Sequence, residues 1–212
     1  MGLIFFDLEA TDLSGRQLLQ ITALAENNET FDLFIKPEIF IIPARCSEIT
    51  GFTLQNGELC KNSTPVPCVR IDDALRQFNL WLKQIETKLG PISLIGYNSH
   101  GFDNRALVRN YKQTRVPFPR IVTSFDILPK IRKTYPKAVV DNHKLETVAR
   151  LILTDDPILQ EPDFHSSLFD CKILRAICNK ICTNKSSTMQ NEFKDCSKPF
   201  SYFLKQKWIC PE

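Results

Sequence analysis

A chain of 212 residues, 43% hydrophobic and 24% charged, can bury one sizeable core and is expected to form one domain with at most an appendage. This composition excludes intrinsic disorder and fibrous repeats, and no apolar stretch approaches the ~18 residues of a membrane span, so an intracellular protein of the nucleus or cytoplasm, with no membrane partner, is expected. A net charge of +3 permits a nucleic-acid partner without demanding one.

Residues 2 to 8, 18 to 25 and 30 to 35 are short apolar or alternating runs separated by "SGRQ" and "ENNE", which predicts three consecutive strands in a meander. In residues 72 to 89 the apolar side chains Ile71, Leu75, Phe78, Leu82, Ile85 and Leu89 recur at steps of three and four, the spacing of a helix, with Asp72 available as its N-cap. "ISLIGY" at 92 to 97 reads as a strand followed by a helix from about Asp103 to Lys112, a βα unit. A strand near Ile121 to Ser124, a helix over "HKLETVARLI" and a last helix from about Ser166 to Cys182 complete a domain spanning 1–182. Cys171, Cys178 and Cys182 fall at helical spacing beside Leu174, Ile177 and Ile181 and are expected as buried free thiols, since no zinc-like ladder exists. Residues 183 to 197 lose periodicity and read as a linker; the aromatic "PFSYFLKQKWI" that follows within 183–212 is expected to dock back on the domain.

The chemistry concentrates in "LIFFDLEATD", where Asp7 and Glu9 end an apolar strand. Residues i and i+2 of a strand share a face, so the two carboxylates stand together and repel; a divalent cation held by oxygen ligands would answer that repulsion. Two solvated acids at a strand end would look the same, and further ligands decide. Asp103 opens a helix just beyond the C-terminal end of a strand, where open α/β sheets place their sites. In "DFHSSLFDCKIL", His165 precedes a serine N-cap and Asp170 sits in the first helical turn, so both can face one pocket.

These residues together resemble the DEDDh family of three-prime to five-prime exonucleases, across about residues 2 to 182. "FDLEATDL" is similar to the family's first motif, "LIGYNSHGFDNRAL" to its second and "HSSLFD" to its third, with four residues between His165 and Asp170; "SEITGFT" resembles the loop that receives the three-prime terminal nucleotide. Among relatives the chain looks nearest to the three-prime repair exonucleases and the exonuclease-like domain of a promyelocytic leukaemia protein isoform. Asp12 and Ser167 depart from the pattern, standing where glycine and alanine are usual.

The resemblance implies an α/β, ribonuclease H-like fold with a mixed central sheet flanked by helices. It implies two Mg²⁺ or Mn²⁺ ions held by Asp7, Glu9, Asp103 and Asp170, with Asp7 bridging, and His165 as general base. The expected reaction releases nucleoside five-prime monophosphates from single-stranded three-prime ends, DNA favoured over RNA. Thr50 and the backbone around Gly51 would receive the terminal nucleotide, with Leu13 and Phe52 pressed against the last bases unless Phe52 tucks into the core. By their spacing alone, Arg105, Arg109, Lys112 and Arg115, with Lys130, Arg132 and Lys133 nearby, could hold phosphates, and a solvated helix face has the same charge spacing. The alternative is a catalytically weak exonuclease-fold module that binds nucleic acid or a protein partner. A homodimer is left open.

Overall fold

A computed structural model of the chain describes residues 1–12, 14–38, 41–160, 163–164 and 166–206. Three strands open it: β1 (Gly2–Ala10), β2 (Leu18–Ala25) and β3 (Thr30–Ile35) form the antiparallel meander that the alternating runs predict. A short helix α1 (Ala44–Thr50) follows and leads into a small separate sheet of β4 (Phe52–Gln55), β5 (Glu58–Lys61) and β6 (Thr64–Pro65). Both of its turns are two-residue, left-handed ones: Asn56 and Gly57 at φ 52° and 80°, then Asn62 and Ser63 at φ 50° and 65°.

Strand β7 (Cys68–Val69) rejoins the main sheet beside β3, and α2 (Ile71–Leu89) lays its Leu75, Phe78, Leu82 and Ile85 stripe against it. The cap differs from expectation. Arg70 precedes the helix without a capping side chain, and Asp72 lies inside the first turn, where it pairs with Arg76 at 2.8 Å and Arg70 at 3.2 Å. Strand β8 (Ile92–Gly96), helix α3 (Asp103–Thr114) and strand β9 (Ile121–Asp126) continue the chain, followed by α4 (Leu128–Thr134), α5 (Leu145–Ile152) and α6 (Ser167–Asn184). β8 runs parallel to β1 and β9 parallel to β8, so a parallel half is grafted onto the antiparallel meander.

The chain then turns through α7 (Met189–Glu192), capped by the Thr188 hydroxyl, and buries Phe193 completely. Strand β10 (Ser197–Pro199) pairs antiparallel with β9, and α8 (Ser201–Lys205) sinks Phe200 and Phe203 into the core beside Phe118 and His100. Residues 183 to 197 are thus an ordered, partly buried connection in place of the expected loose linker. The main sheet has the order β10-β9-β8-β1-β2-β3-β7. Period-two alternation divides β1 between two cores: Ile4, Phe6, Leu8 and Ala10 face α2 and α3, while Leu3 and Phe5 face α5 and α6. Cys171, Cys178 and Cys182 are buried free thiols on α6. Among the described residues no helix is long and apolar enough to cross a membrane.

Candidate functional site

The odd-numbered face of β1 carries Leu3, Phe5, Asp7 and Glu9 in sequence, so the two acids continue an apolar row and emerge where it meets the start of α6. Their cross-strand partners on β2 are Thr22 and Gln20, and the register shifts immediately after Glu9. Asp103, 4% exposed as the first residue of α3, reaches back to β1: its Oδ1 accepts the backbone N–H of Leu8 at 3.1 Å. The peptide nitrogen between the two β1 acids is thereby tied to the third. Asp170, in the first turn of α6, is close enough for its charge to act on Glu9.

The electrostatics record this crowding. Burial, opposed by the Ser167 hydroxyl and the Lys61 ammonium, pushes the Asp7 carboxyl up to about 6. Burial and then the neighbouring Asp7 charge push Glu9 up to about 8, with Asp170 adding to the rise and Lys61 opposing it. Burial and Asp7 hold Asp103 well above the usual carboxylate range. Acids that resist ionisation together are those whose charges would gain from a cation. The donor chemistry, hard carboxylate oxygens, fits Mg²⁺ or Mn²⁺ better than a soft-ligand metal. Among the described residues no three His, Cys, Asp and Glu side chains are already gathered into a metal-holding group.

A side-chain chain supports Glu9. The Ser167 hydroxyl, fully buried, lies 3.3 Å from Glu9 Oε1 and 3.4 Å from Gln20 Oε1; its single hydrogen serves one at a time. Gln20 donates to Asp32 at 2.7 Å, as does Thr22 at 2.9 Å. Ser167 therefore touches a candidate metal ligand. Asp12, the other departure, is absorbed locally: it accepts from the Ser14 hydroxyl and pairs with Arg16 at 3.1 Å, closing the turn after β1.

A cavity of about 390 Å³ is lined by Gln20, Asp32, Thr50, Gly51, Lys61 and Phe164 among others; it adjoins the Glu9–Ser167–Gln20 chain through Gln20 and Asp32, and none of the four acids lines it. Thr50 caps the end of α1, its hydroxyl donating to the Cys46 carbonyl at 2.8 Å. Gly51 sits at φ 71°, a left-handed conformation that favours glycine; a Cβ there would also meet the Asn62 amide, which would have to shift. Phe52 is a correction. Its ring is fully buried among Leu19, Ile42 and Leu59, with Phe34 edge-on at 5.8 Å, because β4 turns its first residue inward; it has no surface to offer a base. His165 and Leu13 lie outside the described residues; the neighbours of His165 do not, and Phe164 packs edge-on against Phe169 at 5.3 Å. Several expected phosphate contacts serve the fold. Arg109 donates to the Ser14 carbonyl, Lys112 to the carbonyls of Leu204 and Gln206, and Lys130 pairs with Glu192 at 3.0 Å.

Sequence reading passed over Lys61, Gln20 and Asp32. The signal for Lys61 was present: "NG" at 56–57 between "FTLQ" and "ELCK" marks a two-residue hairpin, which carries Lys61 back to the Phe52 end of β4.

No protein-family model matches the chain, and no curated protein sequence matches it. Solved structures do. Cell-death related nuclease 4 (CRN-4) superposes with a TM-score of 0.62 at 16% identity, covering 87% of this chain and 64% of that one. E. coli exonuclease I in complex with a dA16 oligonucleotide gives 0.63 at 14% identity over 92% of this chain, and exonuclease I from Methylocaldum szegediense 0.61 at 16% over 90%. The chain spans 42% of the length of either exonuclease I. At such identities the likeness is one of architecture: this chain has the mixed central sheet and flanking helices of the exonuclease, ribonuclease H-like fold.

Proposed function

We propose that the chain is a metal-dependent three-prime to five-prime exonuclease of the DEDDh type that shortens single-stranded nucleic acid, DNA in preference to RNA, and releases nucleoside five-prime monophosphates. The observation that supports this reading is the electrostatic grouping of Asp7, Glu9, Asp103 and Asp170, the first three with raised proton affinities, in an exonuclease-like fold.

Asp7, Glu9, Asp103 and Asp170 would hold a pair of Mg²⁺ or Mn²⁺ ions. When bound, such ions supply charge neutralisation for a phosphodiester and acidify a water. The protein's own residues do the rest. Leu8 N–H orients the Asp103 carboxylate, and the Ser167 hydroxyl is within reach of Glu9. His165 would take the proton of the attacking water as general base. The Thr50–Gly51 turn, where no side chain intervenes at Gly51, receives the terminal nucleotide through its backbone.

Purified protein incubated with a five-prime-labelled single strand and Mg²⁺ tests the reading. A ladder of successively shorter labelled products is expected, abolished by chelator. Tight binding of the strand with no metal-dependent ladder would overturn it in favour of a binding module.

A further inference from the structure

Lys61 is a cation in an unusual place. It ends β5 directly opposite Phe52, and the hairpin pairing sends its side chain along the wall of the 390 Å³ cavity. Among the described residues, its Nζ donates to the Thr50 carbonyl at 2.5 Å and lies 4.4 Å from the centre of the Phe52 ring. Its charge reaches Asp7 and Glu9, on which it acts in opposition to burial. The small β4–β5–β6 sheet therefore does more than decorate the fold. It delivers one positive charge to the junction between the terminal-nucleotide turn and the carboxylates.

A polyanion approaching this junction meets several carboxylates first. An ammonium held at the boundary, on a preorganised side chain, offsets that repulsion where the strand's last phosphates must pass. We propose that Lys61 is a substrate-binding residue that holds a phosphate of a single strand whose three-prime end enters the cavity. This rests on the exonuclease reading above. The competing role is purely architectural: Lys61 as a strut between the Thr50 carbonyl and the Phe52 ring.

Salt dependence separates the two, because a phosphate contact releases a counterion and a strut does not. The probe is a five-prime-fluorescein dT12 strand with a three-prime hydroxyl, bound to the full chain in Ca²⁺ and followed by anisotropy from 50 to 300 mM KCl. Lys61→Met should weaken binding several-fold at 50 mM KCl, and the slope of log affinity against log salt should shrink by about 0.7, one single-strand phosphate contact. Lys61→Arg should restore the slope. Should Lys61→Met fail to fold, Lys61→Gln, whose amide can still donate to the Thr50 carbonyl, takes its place in the same titration. An unchanged slope in the neutral variant, whatever its melting temperature, would overturn the proposal while leaving the exonuclease reading intact. Failure of the wild-type protein to bind the strand at all would overturn both.

Discussion

Replacing Asp7 with asparagine should stabilise the metal-free protein, and by an amount that depends on pH. Burial raises the Asp7 carboxyl from 3.8 to about 6, so the folded chain holds this proton more tightly than the unfolded one. The sign follows from linkage: the favourable contribution is complete below pH 3.8 and is lost as pH rises through 6. At pH 8 the folded protein carries the ionised acid at a cost of roughly 3 kcal/mol, from about 1.4 kcal/mol for each pKa unit. Glu9, raised to about 8 partly by Asp7 itself, pushes in the same direction, so removing the Asp7 charge relieves both. For a chain of this size the gain corresponds to about 6 to 12 °C in melting temperature. Thermal melts of wild type and Asp7→Asn in chelator at pH 5 and pH 8 measure it, with the difference between the two proteins growing toward pH 8. Taking the difference removes His100, whose lowered pKa works with the opposite sign as pH rises through the histidine range. A variant no more stable than wild type at pH 8 would refute the claim that these carboxylates repel within a buried cluster. Adding Mg²⁺ or Mn²⁺ at pH 8 should raise the wild-type melting temperature and leave the variant's nearly unmoved.

Two further outcomes are expected. His165→Ala should slow cleavage by roughly two to four orders of magnitude, with partial rescue at higher pH and metal affinity unchanged; steady-state rates beside calorimetric metal titration check this, and an equal loss of metal binding would make His165 a ligand. Phe52→Ala should cost about 3 to 5 kcal/mol of stability by denaturant unfolding, while the folded fraction keeps its affinity for strand ends, since the ring lies in the small core under β4.

How much of this was legible in the sequence depends on where each signal resides. Local periodicity carried β1 to β3, α2 and the alternation that sets Asp7 and Glu9 on one face, because these features repeat within a few residues. The helix-start position of Asp103 and the first-turn position of Asp170 were also local. Phe52 was not: a glycine followed by an aromatic looks the same whether the next strand turns its first side chain in or out, and only the pairing of β4 with β5 decides. Ser167 was visible as a departure from the family pattern, but its contact with Glu9 spans 158 positions of sequence. The acceptors of Arg109 and Lys112, at Ser14, Leu204 and Gln206, were not legible for the same reason, since they lie far along the chain. Asp72 is not the cap because the helix begins at Ile71, which puts it inside the first turn, where it pairs with Arg70 and Arg76.

The most direct test of the central claim uses a single strand labelled in its three-prime terminal nucleotide, digested side by side by wild type and Asp7→Asn in Mg²⁺. With wild type, labelled nucleoside five-prime monophosphate should be the first product and account for the whole label before the body of the strand shortens appreciably, while Asp7→Asn, folded and at least as stable, releases none. Label appearing first in three-prime-terminal oligonucleotides, or released equally by the variant, would contradict a carboxylate-centred three-prime exonuclease.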